Sequence, residues 1–353
     1  KDIVNHISIG GDMHILEEIR EVAVSKNVNF LIGSGCSADA IGLMSKYWTK
    51  AKSRNKHKLP KESAGGAHCK DCEKLGNELL LKEVRRISKI ILKPSMGRER
   101  TLNNIKTVSC SYEEFIREVI SLMNRMNSRQ NPKNINIFTT NYDLFIEDAL
   151  DKVSKTETFV INDGARGYFK RILDSSNFNR TVSYRGPSNN YVDEIPSISL
   201  IKPHGSVNWE KTADKEIEIK AEVVDNPVVV NPDGHESRAT FEENYFHDML
   251  RIFQTELDKP QSVLFVIGFS FQDKHIVKMM QRALRNKELN VYIFCYKDED
   301  KIKIEANLGR KSSDIKNLKF IRPQNFPAGE PWDTKENNLT LDIVTKILKS
   351  GGK

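Results

Sequence analysis

The chain has 353 residues, 38% of them apolar and 29% charged, with 55 basic against 48 acidic side chains for a net charge of +7. That length suits one large domain or two ordinary ones, and the apolar share with three Trp is that of a folded soluble protein. The charge is too modest to establish nucleic-acid binding, and five scattered cysteines (Cys36, Cys69, Cys72, Cys110, Cys295) exclude a disulfide framework.

No stretch approaches the ~18 apolar residues a membrane span needs. The first residues lack the basic start, apolar middle and small-residue cleavage site of a signal peptide, so a cytoplasmic location without membrane contact is the expectation. In chain order, residues 12–26 predict an amphipathic helix, with Asp12 as N-cap and Ile15, Leu16, Ile19, Val22 and Ala23 at helical spacing. Val28, Phe30, Leu31 and Ile32 then predict a buried strand that ends at Gly33.

Gly33, Ser34, Gly35, Cys36, Ser37 and Ala38 follow that strand and open into a predicted helix, the context of a G-x-G-x-x-(G/A) dinucleotide loop. Gly33 permits the tight turn and Gly35 lets the backbone approach a pyrophosphate. A helix N-terminus adds N–H groups and partial positive charge for that anion. A dehydrogenase would carry an acidic residue ~20 positions on. Lys50, Lys52, Arg54, Lys56 and Lys58 stand there instead, which counts against hydride transfer.

Residues 38–130 predict long helices, interrupted by a basic run at 46–61 that reads as a solvated loop. Leu79, Leu80, Val84, Ile87, Ile90 and Ile91 share one face. Ser111 with Glu114 reads as a capping box opening a helix through Phe115, Ile116, Val119, Ile120 and Met123. His68, Cys69 and Cys72, with Cys110, are conceivable metal ligands. A single Cys-x-x-Cys is a poor signal without a second pair, and no metal is expected.

Strands return at 135–140, 158–161, 198–201, 228–230, 263–267, 291–295 and 318–321, with helical patterns at 241–257 and 274–287. Near-continuous apolar strands alternating with helices predict an α/β fold, a doubly wound Rossmann-like parallel sheet. Residues 1–37 and 131–353 would form that domain, and 38–130 an inserted, mainly helical module. Three polar segments follow strand ends: Thr139-Thr140-Asn141-Tyr142-Asp143, Lys202-Pro203-His204-Gly205-Ser206 and Gly268-Phe269-Ser270. Such positions converge on the crevice where open α/β sheets bind ligands. Asn141 has donor and acceptor atoms to orient a hydroxyl or water, and a histidine of ordinary pKa, ~6.5, at position 204 accepts a proton near neutrality. Asp143 is also placed to cap the following helix. His235, His247 and His275 lack such company and read as surface or packing residues.

With these four motifs in this order, the sequence resembles the sirtuin superfamily over about residues 28–296. The resemblance implies NAD as substrate, held by Gly33, Ser34, Gly35, Cys36, Ser37, Asp143, Gly268 and Ser270, with Asn141 and His204 catalytic. Nicotinamide would leave as a neutral base from an oxocarbenium-like ribose. Within the superfamily, Phe159-Val160-Ile161-Asn162-Asp163-Gly164 and the segment from Ile267 to Ile276 resemble bacterial sirtuin-like proteins of antiphage defence. That likeness implies an NAD hydrolase that depletes NAD, working as a homo-oligomer under a regulatory partner such as a HerA-type hexameric ATPase. The two-pair cysteine zinc ribbon and the Phe-Gly-Glu segment of the protein deacylases are missing, which disfavours the alternative of a deacylase. A non-enzymatic NAD or ADP-ribose sensor would not need both Asn141 and His204.

Overall fold

The computed structural model describes residues 8–55, 70–126, 132–184, 194–230, 244–326 and 338–349. Helix α1 (Ser8–Ser25) leads into strand β1 (Asn27–Ile32). Helices α2 (Met44–Asn55), α3 (Lys70–Leu92) and α4 (Glu99–Arg125) separate β1 from β2 (Asn134–Thr139). There follow α5 (Phe145–Val153), β3 (Val160–Asn162), β4 (Ala165–Arg166), β5 (Ile172–Leu173), β6 (Ser197–Ile201), β7 (Trp209–Lys211) and β8 (Ile217–Ile219). The last part alternates regularly: α6 (Asn244–Asp258), β9 (Ser262–Ile267), α7 (Lys274–Ala283), β10 (Asn290–Phe294), α8 (Asp300–Leu308), β11 (Leu318–Ile321) and α9 (Leu341–Leu348).

Strands that are apolar at almost every position must be covered on both faces, and they are. In β9 all six residues are buried; Val263, Phe265 and Ile267 enter one core, Leu264 and Val266 the other. The first core lies under α1, α4, α5 and α9, with the Phe30 and Phe115 rings edge to face at 5.0 Å. The second lies under α6, α7 and α8, through Phe253, Met280 and Leu308 among others. The sheet between them has seven strands in the order β11-β10-β9-β1-β2-β6-β3, every pairing parallel. This is the expected doubly wound α/β arrangement in Rossmann-like order. The chain moves outward from β1 through β2 and β6, then returns to β9 on the other side, so the strand order reverses between β1 and β9. Open α/β sheets bind ligands beyond the carboxyl ends at such a point.

At the opposite end of the strands a polar ladder crosses the sheet. Asn136 Nδ2 donates to Asn29 Oδ1 at 2.9 Å and to Glu256 Oε2 at 3.1 Å, while Asn134 Oδ1 accepts from Ser197 and Ser199. Buried amides without partners would be costly, so the ladder favours one register over its slipped alternatives.

Several local expectations are corrected. The backbone of α1 is helical from Ser8, four residues before the expected cap at Asp12. Ser111 and Glu114 open no helix: both lie inside α4, and the Ser111 hydroxyl donates to the Thr107 carbonyl one turn back instead of capping. The first part of the basic run lies on α2, not in a loop, because Tyr47 and Ala51 anchor a buried face there. Residues 228–230 form no sheet strand; Val229 makes one isolated bridge to Gly205. A second, antiparallel sheet, β4-β5-β8-β7, packs around Trp209, Ile217 and Ile219. It was not expected, since strands of two or three residues carry too little periodicity. His68, Cys69 and His235 lie outside the described residues, whereas Cys72 is buried and Cys110 exposed. Among the described residues no helix is long and apolar enough to cross a membrane.

Candidate functional site

The crevice beyond β1 and β9 is built backbone to backbone. Gly35 N donates to Gly268 O at 2.9 Å, and Gly33 N to Ile267 O at 2.9 Å. A Cβ on Gly33 would sit 2.4 Å from Gly268 O, and one on Gly35 would sit 2.9 Å from Gly268 Cα. Gly268 itself has φ +64°, which L side chains rarely adopt, and its own Cβ would meet Cys36. The glycines are therefore needed first for the contact between the two loops. The expected helix after them is only a four-residue 3-10 turn, Ser34–Ser37, and α2 starts at Met44. Gly42, at φ +85°, breaks the chain direction between them, so a long helix dipole does not point at this loop.

Within the loop, Ser34 and Gly35 are exposed, Cys36 is half-buried and Ser37 is buried. The Ser37 hydroxyl pairs with Tyr112 OH of α4 at 3.0 Å and also bonds to Asp143. Burial, reinforced by the charge of Asp143, pushes the Cys36 thiol far up, so it is protonated and no nucleophile.

Asn141 follows β2. Thr139 Oγ1 donates to Ile32 O at 2.8 Å and accepts the Asn141 amide N–H, which fixes the turn; Asn141 Nδ2 then donates to Gly33 O at 3.2 Å. The structure thus joins Asn141 directly to the glycine loop. Asp143, 5% exposed, accepts the Phe145 N–H at the start of α5. Burial lifts its carboxyl to about 6, against the pull of Lys202.

Lys202, which the sequence reading did not single out, is 3% exposed and fully engaged. Its Nζ donates to Asp143 O at 2.7 Å, Glu147 Oε1 at 2.7 Å and Ser206 Oγ at 2.9 Å. It ties the loop after β6 to the loop after β2. Val207 N adds a bond to Tyr142 O at 3.0 Å.

His204 is held by this same loop and is buried. Burial lowers its pKa to about 4, so it is neutral at pH 7 but a weaker base than the ordinary histidine expected. Its Nε2 lies 2.6 Å from Nε2 of His275, at the start of α7. His275 is likewise buried, and burial with the proximity of His204 lowers it to about 4 despite Asp273. It therefore belongs to the site, correcting its reading as a surface or packing residue without company. The available signals were its spacing of seven residues beyond Gly268 and its place in the segment from Ile267 to Ile276. Ser270 is exposed, and its carbonyl accepts from Asn307.

A separate opening of about 810 Å³ lies between α7 and α8, lined by Arg285, Glu305 and Arg310 among others. Among the described residues no three His, Cys, Asp or Glu side chains are grouped to hold a metal.

No curated protein matches the chain. Residues 135–320, from the first residues of β2 to β11, match the SIR2-like domain family, and these hold Asn141, His204, Gly268 and His275. That match spans more than half of the chain and accords with the parallel sheet, its reversal point and the polar loops beyond it: the protein belongs to the SIR2-like domain family, which implies that it binds NAD.

Proposed function

We propose that the protein hydrolyses NAD to nicotinamide and ADP-ribose, with Asn141 and His204 carrying the chemistry. The observation that carries this reading is the pinning of Asn141 to the glycine loop, next to a loop that presents a buried, neutral histidine. The exposed backbone of Ser34 and Gly35, bare of side chains at the glycine, suits a pyrophosphate. Gly33, Cys36, Ser37, Gly268 and Ser270 shape the same end of the crevice, and Asp143 orients the nicotinamide amide.

The reaction balances simply. A water oxygen bonds to the ribose C1′ as the bond to the pyridinium nitrogen breaks. The bonding pair neutralises the leaving nicotinamide, and the water proton passes to His204. Asn141 holds the water or a ribose hydroxyl in place, which removes orientational cost from the step. Burial serves the same end by excluding bulk water. The likeness to antiphage proteins supports an effector that depletes NAD, regulated by self-assembly or by a partner such as a HerA-type ATPase.

The test is incubation of the purified protein with NAD, alone and with candidate partners, followed by chromatography of the products. Nicotinamide and ADP-ribose are expected. His204→Ala should slow their release by about 10²–10⁴, the usual contribution of a general base. A His204→Ala protein that folds, binds NAD and releases nicotinamide at the parent rate overturns the assignment, as does release of acetate from acetyl-lysine peptides as the main activity.

A further inference from the structure

A histidine buried to a pKa of about 4 is a poor acceptor on its own, because the imidazolium it would form has lost its water. Something in the protein must then receive the second N–H of that cation. Among the described residues, His275 is the group placed to do so. His275 Nε2 stands 2.6 Å from His204 Nε2, and the rings are tilted by 42° with centroids 4.7 Å apart.

The two rings come from distant parts of the sheet. His204 follows β6 and His275 follows β9, with β1 and β2 between those strands. The contact therefore passes across the carboxyl end of the sheet, over the loops that hold Gly33 and Asn141. The segment that delivers His275 is itself constrained. Phe271, 1% exposed, has φ +56°, an outlier for a bulky side chain, and is held edge to face against Phe269 at 5.0 Å. Strain of this kind persists only where the surroundings fix it, and it concentrates at functional sites.

A hydrogen bond between two neutral imidazoles needs one N–H and one bare nitrogen. If His204 donates from Nε2, its Nδ1 is bare and able to take a proton, and His275 must carry its own proton on Nδ1. Among the described residues that atom has no hydrogen-bond partner, and it is buried. Asp273 occupies the N-cap position of α7 yet makes no side-chain cap bond, and its charge acts on His275. An Asp in that position ordinarily caps its helix. His204 and Asp273 are the titratable groups that act on His275.

Building on the NAD hydrolysis reading, we propose that His275 is a positioning residue for His204, with the charge of Asp273 acting on His275 from the start of the same helix. His275 Nε2 accepts the Nε2–H of His204 and fixes its tautomer, so that His204 Nδ1 receives the proton from the attacking water. The product of that step is a His204 imidazolium whose Nε2–H remains bonded to His275, with the charge of Asp273 acting on that ring.

The test compares His275→Ala and His275→Gln on the full chain, measuring nicotinamide release against NAD concentration and pH. His275→Ala should lower kcat about 10- to 100-fold with KM changed less than about threefold, since it removes orientation and charge stabilisation but no substrate contact. His275→Gln keeps an acceptor for His204 and should recover most of the rate, with the acid limb of the pH profile displaced. Nitrogen-15 NMR of the histidine rings should show His204 as the Nε2–H tautomer, with and without ADP-ribose. Equal loss in both variants, full activity in both, the Nδ1–H tautomer at His204, or a pair that separates when ADP-ribose binds would each overturn the proposal. If the parent protein releases no nicotinamide, the hydrolysis reading fails by itself, and the ring tautomers still decide the pairing.

Discussion

Burial, more than residue type, sets what the histidines of the crevice do. Both are held near a pKa of about 4, below the value near 6.5 they have in the unfolded chain. The unfolded state therefore binds more protons between those two values. The stability the neutral pair contributes is complete above about pH 6.5 and is lost as pH falls through 6.5 toward 4. Asp143 works in the opposite sense, its carboxyl being raised to about 6, so the parent protein alone would mix the two. The clean comparison is with His204→Gln/His275→Gln. Between pH 7 and pH 5 the urea midpoint of the parent should fall further than that of the double variant. Equal falls would mean that the pair is not neutral in the fold. At this scale Asn141 and His204 were legible because each follows an apolar strand in a short polar motif. Lys202 and His275 were not, since a lysine that binds three oxygens and a histidine that meets a second histidine are properties of tertiary approach.

At the scale of elements, the parallel strands were readable because burial on both faces leaves runs such as 263–267 apolar throughout. The helix after the glycine loop was misread: the motif fixes a turn, and nothing in residues 38–43 sustains a helix beyond the 3-10 turn at Ser34–Ser37. That changes the meaning of the loop. A phosphate there would rely on backbone N–H groups of the turn, with little help from a helix dipole. Gly35→Val should consequently do more than obstruct a ligand. Its Cβ would meet the Gly268 backbone at 2.9 Å, so the loops must part. NAD affinity by calorimetry should fall, and the thermal midpoint should fall with it. Lost affinity at an unchanged midpoint would instead mark the glycine as a ligand contact alone, and unchanged affinity would remove the loop from the phosphate site.

For the whole molecule, the fold alone does not determine regulation, but the surface gives reason to look for assembly. Tyr168 and Phe169 are 87% and 92% exposed at the tip between β4 and β5, and Leu92 and Met96 are exposed at the end of α3. A contiguous exposed apolar patch marks an interaction surface, and Tyr168 and Phe169 stand together with ring centroids 5.0 Å apart. An NAD hydrolase left unregulated would exhaust its own cell, so activity is expected to depend on self-association or on a partner. Light scattering combined with the product assay checks this; a monomer that turns over at full rate with no partner contradicts it. The contact between Gly33, Gly35 and Gly268 has a consequence of another kind. Because main chain meets main chain there, no other side chain is tolerated, whether or not a ligand ever binds. In a saturation mutagenesis screen scored by survival or toxicity, these three positions would show the same intolerance as Asn141 and His204. Only a parallel score for cellular abundance would separate them: variants at the glycines should disappear from the cell, while Asn141 and His204 variants should accumulate as intact, inactive protein.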